Sequence, residues 1–411
     1  MQTFRSSVYW ITVVLFTIAL SVSMAFSRGV DEELYKGAEL YAKVFKLIQE
    51  HSVEEVDLQK MRYGAAKGMA RSIGDPYADF YGPEEYKRMK ERNSGKYVGI
   101  GITLMMREDG SIEIVNLISH SPAYSAGIRP GDVILKVGDK PLAGLKFEAI
   151  KNLIVGDVGT KVTLTLLGRD QTDPRVVTTE RAEIKTDYVT WGIIDKKDKI
   201  GYARLTGFTE ISGNDLRTAI EKMLKEGMRG FVLDLRDNGG GLLSEAIAVS
   251  DFFIEEGTIL STRGKSPGAT RKYSARKKGT LLADVNFPVV VLVNGYSASA
   301  SEIVAGALQD YKRALILGEK TFGKNSVQNI IPLQGGKTAL KLTIALYFTP
   351  KGRSLEHSLV PDREVVMAMD DWIEVKKARD EFENKNTDKP YHSDADKQLA
   401  SAMEYIIGKL R

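Results

Sequence analysis

FPVVVLVNGYSASASEIVAGALQD, residues 287–310, decides the fold class of this chain. Its first seven residues are an unbroken apolar run, the signature of a buried strand. Small residues follow, and from about Ala300 the apolar spacing becomes that of a helix. A strand, a sharp turn and a helix in succession predict an α/β core. The turn also carries chemistry. A serine at a strand-to-helix junction, such as Ser299, can expose its Oγ, and the backbone N–H that follows points at whatever the oxygen attacks. The segment GYSAS is not GxSxG, so the usual spelling of a nucleophile elbow is absent.

A serine nucleophile needs a base. The four histidines are poorly placed for it: His51 in the N-terminal helical region, His120 just before SPAYSAG, and His392 in a polar tail. His357 falls near the core, in a loop with no adjacent carboxylate motif. Triads assemble from distant positions, so a Ser-His-Asp arrangement stays an alternative. Lysine is the other class of base. Lys324, in GEKTFGKNSVQ (318–328), lies between Phe322 and the apolar–polar stretch SVQNIIPL. An exposed lysine is protonated, and lowering its pKa from about 10.4 to about 7 requires roughly 4–5 kcal/mol of destabilisation of the ammonium. Most lysines are solvated surface groups. The residues alone leave the base open.

A second strand–turn–helix unit stands at MRGFVLDLRDNGGGLLSEAIAVSDFF, residues 228–253. FVLDL reads as a buried strand and LSEAIAVSDFF as an amphipathic helix. Between them Asp237, Asn238, Gly239, Gly240 and Gly241 form a turn with free N–H groups near a helix N-terminus. A phosphate loop is disfavoured, because the turn is neither GxxxxGK[ST] nor GxGxxG.

SASASEIVAGALQD followed by GEKTFGKNSVQ resembles the carboxyl-terminal processing proteases, also called tail-specific proteases. The resemblance implies a ClpP/crotonase-like α/β catalytic core with Ser299 as nucleophile, Lys324 as general base and Gln328 as its orienting partner. The gaps, 324 − 299 = 25 and 328 − 324 = 4, are those of the family. LRDNGGG (235–241) matches the family's LRNNPGG with Gly239 in place of proline, which implies that Gly241 and Ala300 donate the two oxyanion N–H groups. Asn325 stands where the family usually has glycine; asparagine tolerates a left-handed backbone better than other non-glycine residues.

Composition sets the frame. The 411 residues, 43% of them hydrophobic, are enough for two or three packed domains. A net charge of +4, from 58 basic and 54 acidic residues, leaves no nucleic-acid footprint. With zero cysteines there is neither a disulfide nor a cysteine zinc site, and no metal or other cofactor is expected. The N-terminus addresses the compartment. MQTFR is a basic lead, residues 6–27 carry no charge, and Ser23-Met24-Ala25 forms a small-x-small cleavage pattern. Residues 1–29 are therefore expected to be a signal peptide or signal anchor. The protein is expected to be exported, periplasmic or extracytoplasmic, and either released or held at the cytoplasmic membrane.

Residues 30–92 read as a helical region, with Leu34, Ala38, Leu40, Ala42, Val44, Phe45 and Ile48 as its first apolar positions and a turn then a helix in DPYADFYGPEEYKRM. By resemblance this region aids dimerisation, and Asp75–Tyr81 corresponds loosely to a family motif. Residues 95–172 resemble a PDZ domain, a partly open β-barrel with helices. The resemblance places the substrate C-terminus on the loop of Gly99, Ile100, Gly101 and Ile102, where consecutive N–H groups clamp a carboxylate and the peptide adds as a strand. Its groove would run beside the helix FEAIKNLIV (147–155). The family often has an arginine in an RGxxGT stretch here; this chain reads VGDVGT over 155–160.

Residues 173–365 are expected to form the catalytic domain, entered through a polar, strand-forming link (173–198) and containing an exposed loop over 262–284. KTALKLTIALYFTPKGRSLEH (337–357) predicts one or two strands and a turn bordering the cleft, with His357 in a loop variation. Residues 366–411 read as a charged, then helical tail, a place of oligomer contacts in the resembled family. The expectation is a multidomain α+β chain acting as an exported Ser-Lys endopeptidase on proteins with free C-termini. A homodimer and a regulatory protein are the further partners considered. A non-catalytic PDZ scaffold is the rival, and a crotonase-like acyl enzyme is disfavoured by the PDZ insertion and the signal sequence.

Overall fold

The computed structural model describes residues 32–118, 121–169, 171–284, 286–384 and 391–411, so the signal or anchor reading of 1–29 lies outside the described residues. The chain divides into two compact units, the first ending at Ser72 and the second starting at Ile73. In the first, the helical periodicity is realised as α1 (Glu32–His51) and α2 (Leu58–Ser72). Its apolar stripe is largely uncovered: Leu40, Val44 and Ile48 are all exposed.

The second unit opens with β1 (Asp79–Tyr81) and α3 (Pro83–Ser94). The PDZ region follows as β2 (Lys96–Gly99), β3 (Ile102–Met106), β4 (Ile112–Leu117), α4 (Pro122–Ser125), β5 (Val133–Val137), β6 (Lys140–Pro141), α5 (Phe147–Ile154), β7 (Lys161–Leu167), β8 (Arg175–Glu180) and β9 (Ala182–Lys185). An antiparallel sheet runs in the order β3-β4-β5-β7-β8, with β6 on β5, while β2 pairs separately with β9. The sheet stays open and closes no barrel. Alternation along β7 sends Val162, Leu164 and Leu166 inward against Ile112, Ile114 and Ile150. Burying each such side chain contributes about 1.5–3 kcal/mol. The link read over 173–198 is built into sheets: β8 extends the PDZ sheet and β9 pairs back to β2.

The region expected to be the catalytic domain comprises β10 (Val189–Asp195), β11 (Ile200–Leu205), α6 (Ser212–Lys225), β12 (Gly230–Asp234), α7 (Leu243–Asp251), β13 (Thr258–Gly264), β14 (Arg271–Ser274), β15 (Val289–Val293), α8 (Ala300–Asp310), β16 (Leu315–Gly318), β17 (Ser326–Leu333), β18 (Thr338–Phe348) and β19 (Arg363–Glu364). The tail forms α9 (Met369–Asn384) and α10 (Lys397–Leu410). One sheet has the order β10-β11-β12-β15-β16-β19 and is parallel from β11 onward. Period-2 geometry splits each central strand between two cores. Phe231, Leu233, Val289, Val291 and Val293 meet α6, α7 and α8, whereas Val232, Val290 and Leu292 meet α9 and α10. The strand FPVVVLV is thus buried on both sides, which is why it is apolar throughout. The second sheet runs β1-β18-β13-β14, with β17 on β18. Residues 262–284 are therefore not simply a loop, since β14 pairs with β13.

The tail helix α10 lays Leu399, Ala402 and Ile406 onto its own chain's sheet. A buried ion cluster pins it there. Arg236, with no exposed surface, forks onto Asp234 and Asp396 (2.6 and 2.8 Å), and Tyr391 and Tyr202 donate to the same two carboxylates. Burial pushes the Asp234 carboxyl up, but the charge and hydrogen bonds of Arg236 override it and hold it well below the usual range.

Candidate active site

The junction of β15 and α8 puts Ser299 at φ 55°, ψ −111°, a backbone region that non-glycine residues rarely adopt. Such a residue costs on the order of 1–3 kcal/mol and persists only when its surroundings hold it. Several contacts do so here. Ser297 Oγ donates to Leu235 O (2.8 Å), Ala298 N–H to Asn238 O (3.1 Å), and Ser301 Oγ to the same carbonyl (2.8 Å). The Ser299 N–H donates to the Glu302 carboxylate at 2.8 Å.

The glycine turn between β12 and α7 lies directly against this junction. A Cβ on Gly240 would stand 2.7 Å from Ala298 O and 2.9 Å from Ala300 N, and one on Gly241 would stand 2.1 Å from Phe208 O. Both glycines have positive φ, 98° and 150°, so no side chain fits on steric or backbone grounds. Asn238 braces the turn from inside: its Nδ2 donates to Leu205 O (2.7 Å), and its Oδ1 accepts from Gly240 N–H (2.9 Å). Gly241, Ser299, Ala300 and Gln328 line one cavity of about 280 Å³. Among the described residues, the N–H groups of Gly241 and Ala300 have no hydrogen-bond partner.

Lys324 sits just before β17, half-buried, with its Nζ 4.3 Å from the centroid of the Tyr77 ring. Burial pushes its ammonium pKa below the ordinary lysine value; the charge of Lys341 adds to this, and Asp75 and Glu302 oppose it. No hydrogen bond joins Lys324 Nζ to Ser299 Oγ. The hold of Gln328 on the Lys324 amine, implied by the family resemblance, is also not formed. β17 bulges between Val327 and Gln328, and the Gln328 amide donates instead to Ser326 Oγ (2.9 Å) and Thr343 Oγ1 (3.2 Å). Asn325 does not take a left-handed backbone either; Gly323, two residues earlier, has the positive φ of 93°. Asn325 is buried and donates to Ser354 Oγ at 3.0 Å. His357 is exposed in its loop.

The residue that the motif reading passed over is Glu302. It has no exposed surface, and its carboxylate accepts four bonds, from Ser299 N (2.8 Å), Thr321 Oγ1 (2.5 Å), Gly323 N (2.7 Å) and Lys324 N (3.0 Å). Burial pushes its carboxyl up, against the downward pull of those bonds. On the other side Tyr347 shares its hydroxyl between Ser299 O and Lys324 O. One carboxylate and one phenol therefore fix the backbones of Ser299 and Lys324 relative to each other. The spelling Ser299-x-x-Glu302 is the capping-box pattern and could have flagged Glu302 from sequence. Tyr347, Tyr77 and Lys341 carry no comparable local signal.

In the PDZ region the loop of Gly99, Ile100, Gly101 and Ile102 joins β2 to β3. Gly101, at φ 82°, packs on Ser121, and the N–H groups of Ile100 and Gly101 have no partner among the described residues. Arg181, between β8 and β9, supplies an arginine to the VGDVGT turn from elsewhere in the chain. It donates to Ile154 O (2.6 Å), Leu153 O (3.1 Å), Lys161 O (2.9 Å) and Thr160 Oγ1 (3.1 Å), closing the C-terminal end of α5.

Two family models match the chain: peptidase family S41 over residues 199–365 and a PDZ domain over residues 113–167. The carboxy-terminal-processing protease of Bartonella bacilliformis is 37% identical over 364 residues, covering 87% of this chain and 82% of that protein. The carboxy-terminal processing protease CtpA of Bacillus subtilis is 36% identical over 310 residues, covering 75% of this chain and 65% of that one. The solved structure of a putative S41 protease from Bacteroides fragilis superposes with a TM-score of 0.50 at 17% identity, covering 89% of this chain and 97% of that one, a likeness of fold.

Proposed function

The chain belongs to peptidase family S41, in its PDZ-bearing carboxy-terminal-processing branch of serine peptidases, and we propose that it is an exported endopeptidase working through a Ser299–Lys324 dyad. The PDZ loop of residues 99–102 captures the free carboxylate of a protein substrate. Ser299 Oγ then attacks a peptide carbonyl while neutral Lys324 takes the hydroxyl proton and later passes it to the leaving amine. The N–H groups of Gly241 and Ala300 stabilise the tetrahedral oxyanion. Gln328 orients the lysine once Lys324 has left the Tyr77 ring; catalytic hydrogen bonds of this kind tighten on substrate binding. The uncharged N-terminal run carries the protein across the cytoplasmic membrane.

The observation behind this reading is the convergence of Ser299 with two partnerless N–H groups on one cavity, with Lys324 tied to the same carboxylate as Ser299. Partially desolvated lysine beside a serine is the chemistry of a Ser-Lys pair. The test is degradation of an unfolded protein with a free or blocked C-terminus by the wild type, Ser299→Ala and Lys324→Ala. Both variants are expected to be inactive and the blocked substrate to be spared. Turnover that survives Lys324→Ala would rule out the dyad, and equal cleavage of free and blocked substrate would rule out capture by the carboxylate. Export is tested by fractionating cells that express the full chain against one lacking residues 1–29. Equal recovery in the cytoplasm for both would refute it.

A further inference from the structure

Lys341 lies midway along β18, opposite Ile330 of β17 and Asp79 of β1. It is half-buried and lines the cavity that also holds Ser299, Gly241 and Ala300. Its Nζ stands 5.7 Å from the centroid of the Tyr81 ring, itself on the cavity wall. Among the described residues no carboxylate lies within ion-pair distance of it. Asp75 attracts it at longer range, while the Asp75 carboxylate also accepts from the N–H groups of Tyr77 (2.9 Å) and Thr343 (3.0 Å). The cavity walls mix apolar side chains such as Met89, Ile303 and Ile330 with polar ones such as Asn93, Ser326 and Gln328.

A half-buried ammonium on the wall of a partly apolar cavity, with no direct ion pair, has given up part of its hydration without a contacting counter-ion. Its chemical complement is a carboxylate on a short apolar stem, whose methylenes lie on the walls while its oxygens reach the ammonium. Lys324 does not compete for that carboxylate in the peptidase reading, on which this inference rests, because there it acts as a neutral base. We propose that Lys341 is a specificity-determining residue that receives a carboxylate of the bound polypeptide inside the catalytic cavity. The carboxylate is either a Glu or Asp side chain beside the scissile bond or the substrate's own terminus.

The test uses peptides of one sequence that differ only beside the cleaved bond, Glu against Gln, each prepared as free acid and as amide. Values of kcat/KM are compared for the wild type, Lys341→Met and Lys341→Glu. Affinities are measured for the same peptides on the Ser299→Ala protein with and without Lys341→Met. One charge-assisted hydrogen bond predicts a preference of about 10–100-fold for Glu over Gln, or for acid over amide, in the wild type. The arm in which it appears identifies the source of the carboxylate. The preference is expected to collapse to about 1 in Lys341→Met and to invert in Lys341→Glu. Each ratio is internal to one form of the protein, so a general loss of turnover does not imitate the result. Equal ratios in wild type and Lys341→Met overturn the assignment, as does a preference that survives the substitution, since it then belongs to another site such as the 99–102 loop. A wild type that cleaves no peptide defeats the peptidase reading, while the binding ratios still decide the role of Lys341.

Discussion

Glu302→Gln is the most informative single perturbation, because it keeps the side-chain shape and removes half of its acceptors. In the native carboxylate, Oε1 takes Thr321 Oγ1 and Gly323 N, and Oε2 takes Ser299 N and Lys324 N. An amide has one acceptor oxygen and one donor nitrogen. With its oxygen toward Ser299 and Lys324, its NH2 meets the Thr321 hydroxyl, which can rotate to accept, and the Gly323 N–H, which cannot. One buried N–H is then orphaned, at about 1–3 kcal/mol. The opposite orientation orphans two, so the first is favoured. Loss of a buried charge offsets part of the cost, and a net destabilisation of about 1–2 kcal/mol is expected. The Gly323–Lys324 segment shifts away from Ser299, and misplacement by about 1 Å can lower turnover on the order of 100-fold. Turnover should therefore fall about 10–100-fold in kcat, with KM little changed.

The charge change has a separate signature. Glu302 raises the Lys324 pKa, so removing its charge lowers that pKa. Activity that needs a neutral lysine is lost as pH falls through the pKa of Lys324, so the acidic limb of the rate profile should move to lower pH. The assays are a kcat–pH profile on a peptide substrate and urea unfolding. Wild-type kcat at the plateau together with an unchanged urea midpoint would show that the carboxylate does not hold the two residues together.

Asp75→Asn should move the acidic limb the same way, because Asp75 also raises the Lys324 pKa; an unmoved limb or one shifted upward contradicts the electrostatic account. Arg236→Met leaves Asp234 and Asp396 facing each other without their guanidinium, and should cost about 3–5 kcal/mol in urea unfolding. A loss below about 1 kcal/mol would mean that the tail is not pinned by this cluster. Arg181→Met removes two hydrogen bonds from the end of α5 and two from Thr160 and Lys161, and should weaken binding of a free-acid peptide to Ser299→Ala protein several-fold. Unchanged affinity would separate that end of α5 from the peptide groove.

Much of the fold was legible because local pattern and burial agree. The apolar run at 289–293 is buried on both sides, the helix does begin at Ala300, and the glycine turn does abut the serine turn. These features depend on residues adjacent in the chain, where periodicity and turn chemistry act directly. Misreadings arose where a contact joins distant segments. Residues 262–284 looked like a polar loop because the partner that makes Arg271–Ser274 a strand is β13, and sequence polarity does not reveal pairing. The attachment of the tail was likewise hidden, because α10 covers its own sheet and its anchor Arg236 lies 160 residues from Asp396.

The sequence by itself determined which residues stand at the two sharp turns, since positive backbone angles and close approach admit few side chains there. It also determined the spacing that marks Ser299, Lys324 and Gln328. Tertiary structure alone decided how those residues are held. Glu302 and Tyr347 clamp the Ser299 and Lys324 backbones from either side, Lys324 lies over Tyr77, and Gln328 turns to Ser326 and Thr343. Hydrogen bonds and burial depend on which strands and helices come together in space, and that information is spread over the chain rather than written at any one position.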